Sequence, residues 1–391
     1  MDSNGSWDQW DAWDVKNPVG NRVKKASSFC AAWGGCGCGD EFNCRPAEAF
    51  RSDNEDNRDL EELGYCDAHC HLDYCLLNAK CTDEEVWSFK KWMCTKWQEG
   101  RCWFGRDCDY AHSEEELARR PQLFRSDLAA FAQLHPTEGR QRRGTRQGVR
   151  IQRGPKLRCL ITSCCEAEAI EDTRMLVAAG KRLLGDAVYC TFGCHPHNYR
   201  EYGTALESEL LHALEDCGAR AVGWGECGLD YYKNYYEAMC DENRALMVAV
   251  FARQARLAVE RRLPLVVHTR DAEEDTLHVL QDCLPREHPV HIHAFQGSVY
   301  MLMRVIDMFP NAVIGISGTV TFEVGAAAEI ARHCPLSRLV LETDAPYLCN
   351  EPREIPMLAR SVARLKGVQA SEVLAAANRN CERFFGIEKP I

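Results

Sequence analysis

The sequence predicts an α/β fold built as a parallel eight-stranded barrel, and three observations carry that expectation. From Gly64 onward, short runs rich in Val, Ile, Leu and Cys alternate with longer helical patterns. There are eight such runs, the number that closes a (β/α)8 barrel. Six of the eight deliver His, Glu or Asp at their carboxyl ends, where barrel strands converge on one mouth. A doubly wound sheet gives a similar alternation, so closure is an inference at this stage.

Residues 1 to 60 are rich in Asp, Asn, Gly and Ser without sustained periodicity and read as a disordered acidic region. Within it, Trp7, Trp10 and Trp13 recur at a three-residue step, and Cys30, Cys36, Cys38 and Cys44 form a C-x5-C-x-C-x5-C cluster that matches no common zinc spacing. The expected strands are Gly64–Ala68, Arg158–Ser163, Ala187–Gly193, Arg220–Gly225, Leu263–Val267, Pro289–Ile292, Asn311–Ile316 and Arg338–Thr343. Helical patterns separate most of them. One is Asp241–Arg262, with apolar residues at Leu246, Val250, Ala255 and Leu257. The expected layout is a first strand and loop over 64–80, an insert over 88–116, a helical and Arg-rich connector over 117–157, and the rest of the barrel over 158–391.

Bulk properties bound the class. With 391 residues, 46% of them hydrophobic, the chain can bury one large core. No apolar run reaches the length of about 18 residues that a membrane span needs, and the first residues lack the order of a signal peptide. A soluble protein of the nucleus or cytoplasm is expected. The odd count of 23 cysteines then argues for reduced thiols, some of them on metal. Cys159, Cys190, Cys194 and Cys334 lie in apolar stretches and read as small buried hydrophobes. Net charge is −11, but eight Arg or Lys residues and no acid fall between Gly139 and Arg158. The overall sign therefore does not exclude a nucleic-acid substrate.

The strand-end residues form a constellation. His69 and His71 follow strand one in DAHCHLD, His195 and His197 follow strand three in GCHPHN, and Glu226 closes strand four in GWGECGLDYY. His268, His293 and Asp344 end strands five, six and eight. Taken singly, Glu226 could be a solvated loop acid and Asp344 a helix cap. An H-x-H pair is stronger, because both imidazoles lie on one face of an extended strand. Four His and two carboxylates exceed the needs of one ion. With Glu226 bridging, they suit two divalent ions that activate a water, Asp344 serving as general base. Mixed N and O ligands leave Mg, Mn and Zn open.

DAHCHLD, GCHPH, GECGLDYY, LPLVVHTRDA, HAFQGS, ISGTVTF and LETDAPYL, in this order, resemble the successive signatures of the TatD family. The resemblance implies a TIM-like (β/α)8 barrel of the metal-dependent hydrolase type that cleaves DNA, typically single strands from the 3′ end. It implies His69, His71, Glu226, His268, His293 and Asp344 as metal ligands, with His195, His197 and Arg270 beside the substrate phosphate. The chain departs from the family after strand eight, where CNEP follows LETDAPYL at once, so part of the substrate rim is missing or replaced.

Between strands one and two lies Cys94-x7-Cys102-x5-Cys108-x3-His112, a donor set that completes a closed tetrahedral zinc site. Its spacing and its FG and YAH segments resemble the CCCH fingers of RNA-binding proteins, which implies that Phe104 and Tyr110 stack on single-stranded bases. Trp97 and Trp103 neighbour them. The same aromatics could instead pack the finger's own core, and the finger could serve protein contacts. Single-stranded DNA or RNA is the expected partner. Other readings remain open: an amidohydrolase-type enzyme on a small molecule, or an RNA-binding regulator with an inactive barrel.

Overall fold

The computed structural model describes residues 54–80, 97, 100, 112–113, 121–135, 137, 156–232 and 240–387. All eight expected strands form: β1 (Tyr65–Cys70), β2 (Leu157–Cys164), β3 (Val188–Phe192), β4 (Ala221–Asp230), β5 (Leu265–Arg270), β6 (Val290–Ile292), β7 (Val313–Ile316) and β8 (Leu339–Leu341). They pair in sequence order, each parallel to the next. The seam between β8 and β1 closes through backbone bonds from Asp344 N to His69 O (2.9 Å) and from His71 N to Ala345 O (2.8 Å). Asp67, fully buried, latches the same seam by accepting from Thr343 N at 2.9 Å and Thr343 Oγ1 at 2.5 Å. A doubly wound sheet keeps its edge strands apart, so the joined first and last strands select the barrel.

Around the strands run α1 (Asn54–Leu63), α2 (Leu72–Lys80), α3 (Arg125–Leu134), α4 (Ile170–Leu183), α5 (Thr204–Cys217), α6 (Asp241–Arg261), α7 (Glu273–Cys283), α8 (Val299–Met308), α9 (Gly325–His333), α10 (Ile355–Lys366) and α11 (Ala370–Phe384). None of the described helices is long and apolar enough to cross a membrane. Strand alternation sorts the core into two shells. In β5, Leu265 and Val267 pack outward in the helix-facing shell, while Val266 joins an inner cluster. That inner cluster fills the lower barrel with Cys66, Cys159, Val222, Val313 and Val340, plugged by Phe384 and Phe385 at the end of α11.

Two irregularities re-aim side chains at the mouth. In β1 the register shifts between Asp67 and Cys70, which oppose Leu160 and Thr162 of β2. The extra residue lets Ala68 face the inner cluster while His69 and His71 both face the mouth. In β4 a shift between Trp224 and Cys227 does the same. Trp224 points out to Gln254 of α6, and Glu226 points in.

The expected boundaries shift in consequence. β1, β4 and β5 run further than the sequence suggests, so His69, Glu226 and His268 sit inside strands rather than after them. β8 stops at Leu341, which leaves Asp344 in the following loop. Helix α1 starts at Asn54, inside the stretch read as disordered, and α11 packs against it. The Trp7–Trp10–Trp13 run, the cluster from Cys30 to Cys44 and the basic residues from Arg140 to Arg153 lie outside the described residues.

Helix α3 shows where the described chain rejoins the barrel ahead of β2. It packs beside α4, and Thr137 just beyond it pairs with Leu157 at the start of β2. The helix therefore runs towards the end where strands begin, and its first residues lie on the carboxyl side. There Lys80, the last residue of α2, donates to Gln122 O (2.8 Å) and Asp127 Oδ2 (3.0 Å). At the other end, His135 stacks on Phe131 (3.7 Å) with Nδ1 at 3.0 Å from Phe131 O. Burial pushes its pKa down to about 4. The folded ring stays neutral while the unfolded ring takes a proton below its ordinary value of about 6.5, so stability is lost as pH falls between those values. The full effect is about 3 kcal/mol at most. His135→Phe is expected to lose less stability than wild type between about pH 7 and pH 4 in urea titrations; equal losses in the two proteins would mean that His135 does not contribute to this pH dependence.

Candidate active site

Glu226 organises the mouth. It is 2% exposed and its two oxygens face different sets of imidazoles. Oε2 lies 3.3 Å from His69 Nε2 and 3.7 Å from His71 Nε2. Oε1 lies 2.7 Å from His268 Nδ1, 2.8 Å from His293 Nε2 and 3.5 Å from His195 Nε2. Asp344 completes the first group, its Oδ1 being 3.5 Å from His71 Nε2 and 3.7 Å from His69 Nε2. The solvated-acid reading of Glu226 is thus ruled out by its burial. The capping reading of Asp344 fails too, since the amide of Tyr347 bonds its carbonyl while its carboxylate turns to the imidazoles.

The electrostatics follow from these contacts. Burial pushes the Glu226 carboxyl up, but His293, His195 and His268 hold it well below the usual carboxylate range. Asp344 is likewise held low against burial, mainly by the His71 imidazole facing it. Burial depresses His71, yet Asp344 and Glu226 raise it to about 9. Burial keeps His69, His195 and His293 below their ordinary value. Both carboxylates are therefore ionised at neutral pH.

These residues fit divalent cations. His69, His71 and Glu226 bring ligand atoms within 4.8 Å of one another, and so do His69, His293 and Asp344. His69 Nε2 and Asp344 Oδ1 are buried without a hydrogen-bond partner, a costly state that a bound cation relieves. His268 Nδ1 and His293 Nε2 lie 3.1 Å from each other and both face Glu226 Oε1, as two ligands of one ion do.

His195 differs. It caps a 3-10 turn, Pro196–Glu201, with Pro196 at the first position, and its Nδ1 accepts the amide of His197 at 3.1 Å. The ring proton of the neutral form then sits on Nε2, so His195 presents an N–H rather than a lone pair to the mouth. Its loop is clamped from behind by Gln254 of α6, which accepts from Cys194 N (2.8 Å) and donates to Cys194 O (3.1 Å). His197 stands further out, 2.8 Å from Asp230 Oδ2. Arg270, half-buried at the end of β5, pairs in register with Asp230.

Asp230, His291, Glu342 and Asp67 escaped the reading of the sequence. Asp230 Oδ2 is 3.2 Å from His268 Nε2, so it fixes the ring with Nδ1 aimed at Glu226. His291 and Glu342, both fully buried, pair at 2.8 Å beneath His293. The missed signal is period two: Asp230 follows Glu226 by four residues, His291 precedes His293 by two, and Glu342 precedes Asp344 by two. Asp230→Asn is expected to weaken Mn²⁺ binding about 10- to 100-fold in calorimetric titrations. Unchanged affinity would make Asp230 a bystander.

Of the expected finger, Cys94, Cys102, Cys108, Phe104 and Tyr110 lie outside the described residues. His112 is described, and its ring stacks on Trp97 at 4.1 Å and 5°.

Comparison with known proteins reports the same family that the motifs suggest. A family described as TatD related DNase matches residues 66–386. A human protein named 3'-5' RNA nuclease TATDN2 is 35% identical over 216 residues, which span 52% of this chain and 27% of the human one. A Citrobacter rodentium protein named 3'-5' ssDNA/RNA exonuclease TatD is 30% identical over 213 residues, covering 51% of this chain and 77% of that one. Among solved structures, a TatD homolog from Escherichia coli superimposes with a TM-score of 0.51 at 24% identity, over 59% of this chain and 87% of its own. A TatD family hydrolase from Entamoeba histolytica gives a TM-score of 0.53 at 17% identity, over 59% and 85%. These two likenesses concern the fold.

Proposed function

The chain belongs to the TatD-related DNase family, and on that premise we infer that it is a metal-dependent hydrolase of phosphodiester bonds in single-stranded DNA or RNA, working from the 3′ end. The observation that carries this reading is the division of Glu226 between two imidazole groups, one oxygen to each. His69, His71 and Asp344 would hold one divalent ion with Glu226, and His268 and His293 a second, drawn from Mg, Mn or Zn. When bound, such ions lower the pKa of water and neutralise charge on a phosphoryl group.

The chain's own residues then have distinct tasks. Asp344, held in its ionised form, takes the proton of the attacking water as the new O–P bond forms and the bond to the departing sugar oxygen breaks. His195 donates its Nε2–H to a phosphate oxygen, with Arg270 and His197 nearby at the rim. The relatives' names support nucleic acid as the substrate class. To test it, end-labelled RNA and DNA strands of matched sequence are incubated with the protein and Mg²⁺, Mn²⁺ or EDTA. Ladders shortening from the 3′ end, abolished by EDTA, are expected; intact strands under every metal would end the nuclease reading.

The finger belongs to the same proposal. Cys94, Cys102, Cys108 and His112 would bind zinc, and Phe104 and Tyr110 would stack on bases. Lys80 and Gln122 flank this segment on the barrel's carboxyl side, which favours delivery of a strand end to the mouth. Cys108→Ser is expected to weaken single-strand binding about 10-fold or more, on the scale of one or two lost base stacks, while a small phosphodiester is still cleaved. Parallel loss of both would indicate a damaged fold instead.

A further inference from the structure

The closed end of the barrel holds a cluster that hydrolysis at the mouth does not use. Cys66 of β1, Cys159 of β2 and Cys381 of α11 place their sulfurs within 4.8 Å of one another. All three are buried, at 2%, 3% and 1% exposure. Among the described residues this is the one all-sulfur group of three with such spacing. Buried thiols elsewhere turn to backbone carbonyls, as Cys194 does to Asn198 O at 3.3 Å and His195 O at 3.7 Å and Cys227 to Val266 O at 3.8 Å.

The spacing is informative. Cys159 Sγ and Cys381 Sγ are 3.8 Å apart. A disulfide needs about 2.05 Å, whereas two corners of a zinc tetrahedron with bonds of about 2.3 Å lie about 3.8 Å apart. The three donors come from separate elements already locked together. Cys66 N donates to Asn378 Oδ1 at 2.8 Å and Asn378 Nδ2 donates to Gly64 O at 3.0 Å, which fixes α11 against the start of β1. On the outer side, Glu382 Oε1 lies 3.8 Å from Cys66 Sγ and accepts from Arg158 Nε (3.0 Å) and Nη2 (2.5 Å).

We propose that Cys66, Cys159 and Cys381 form a second, structural site for a thiophilic d¹⁰ cation, Zn²⁺ in the cell, that pins the C-terminal helix α11 to the base of the barrel. Each thiol releases its proton to solvent as its sulfur–metal bond forms, with no change of oxidation state. Three thiolates and the Glu382 carboxylate on a dication leave two negative charges, one of which Arg158 offsets through its bonds to Glu382. Contacts within the trio and the nearby Arg158 guanidinium bring the Cys66 thiol well below its ordinary range against burial, while the same contacts and burial hold Cys159 and Cys381 well above theirs. The site is one side chain from solvent, because Arg158 lines an open cleft with Asp59, Glu62 and Gln369. Glu382 Oε1, 3.8 Å from Cys66 Sγ, would fill the fourth position.

Cobalt spectroscopy on the full chain tests this. Cys108→Ser removes a thiolate of the expected finger, and the reduced protein is loaded with Co²⁺. A thiolate-to-cobalt charge-transfer band is expected to survive in Cys108→Ser and to fall at least about two-fold when Cys381→Ala is added. Loss of the whole band in Cys108→Ser alone, or no further loss with Cys381→Ala, overturns the proposal. Should Cys381→Ala fail to fold, alkylation of the Cys108→Ser protein in mild urea replaces it. Chelator should then raise labelling of Cys66, Cys159 and Cys381 together, with Cys334, buried elsewhere, as the unaffected control. Labelling of the trio that ignores the chelator is equally fatal.

Discussion

Glu226→Gln is expected to lower the turnover of a single-stranded substrate by about 10³-fold or more, the scale of losing a principal electrostatic element of a buried site. The exchange preserves size and shape, so packing at this 2%-exposed position barely changes. What changes is charge. Five imidazoles, those of His69, His71, His195, His268 and His293, approach this one carboxylate. A neutral amide removes the anion between the two groups and places an N–H₂ against ring nitrogens that are needed as acceptors. Metal affinity should fall with activity. For wild type, a cation at about 100 times its Kd adds about 2.7 kcal/mol of stability, read as a rise in melting temperature. Glu226→Gln should show almost no such rise, and EDTA should leave its residual activity unchanged. Turnover within about ten-fold of wild type, far short of an electrostatic loss of that kind, would dismiss Glu226 as the bridge between the two groups.

The sequence discloses this site well because barrel geometry is a simple amplifier. Each ligand needs only to stand near the end of an apolar run, and eight runs sharing one mouth do the rest. His268 and His293 are legible for that reason. The residues behind them were not, although the same period-two logic reaches them. HIH holds His291 and His293 just as HCH holds His69 and His71, yet His291 faces Glu342 inside the barrel and not the mouth. Depth along a strand separates the two cases, and a pattern of residue types does not encode depth. Bulges were invisible for a related reason. Nothing in YCDAHC or GWGECG announces the extra residue that turns His69 and Glu226 inward, because a bulge is settled by the partner strand. Asp67 shows the longest reach of all. Its carboxylate bonds Thr343, far along the chain, and a contact between the first and last strands exists only once the barrel has closed.

Gly228→Ala is the substitution expected to cost the most stability, and it explains how β4 can carry two site carboxylates. Gly228 lies midway between Glu226 and Asp230 on the mouth-facing side of the strand, at φ +149°. A methyl group there would stand 1.9 Å from the carbonyl oxygen of His268 and 2.9 Å from its carbon. Those are backbone atoms of a central strand, paired with β4 on one side and β6 on the other, so no side-chain rotation relieves the clash. The backbone angle adds strain for any L side chain. Together the overpacking and the strain should destabilise the fold by about 3 kcal/mol or more, seen as a lower denaturant midpoint. The close approach also sets the chemistry, since it brings Asp230 within 3.2 Å of His268 Nε2 and Glu226 within 2.7 Å of Nδ1. Whatever Gly228→Ala protein remains folded should therefore bind Mn²⁺ more weakly than wild type. An alanine variant with wild-type midpoint and wild-type Mn²⁺ affinity would mean that β4 and β5 are further apart than this arrangement of the mouth requires.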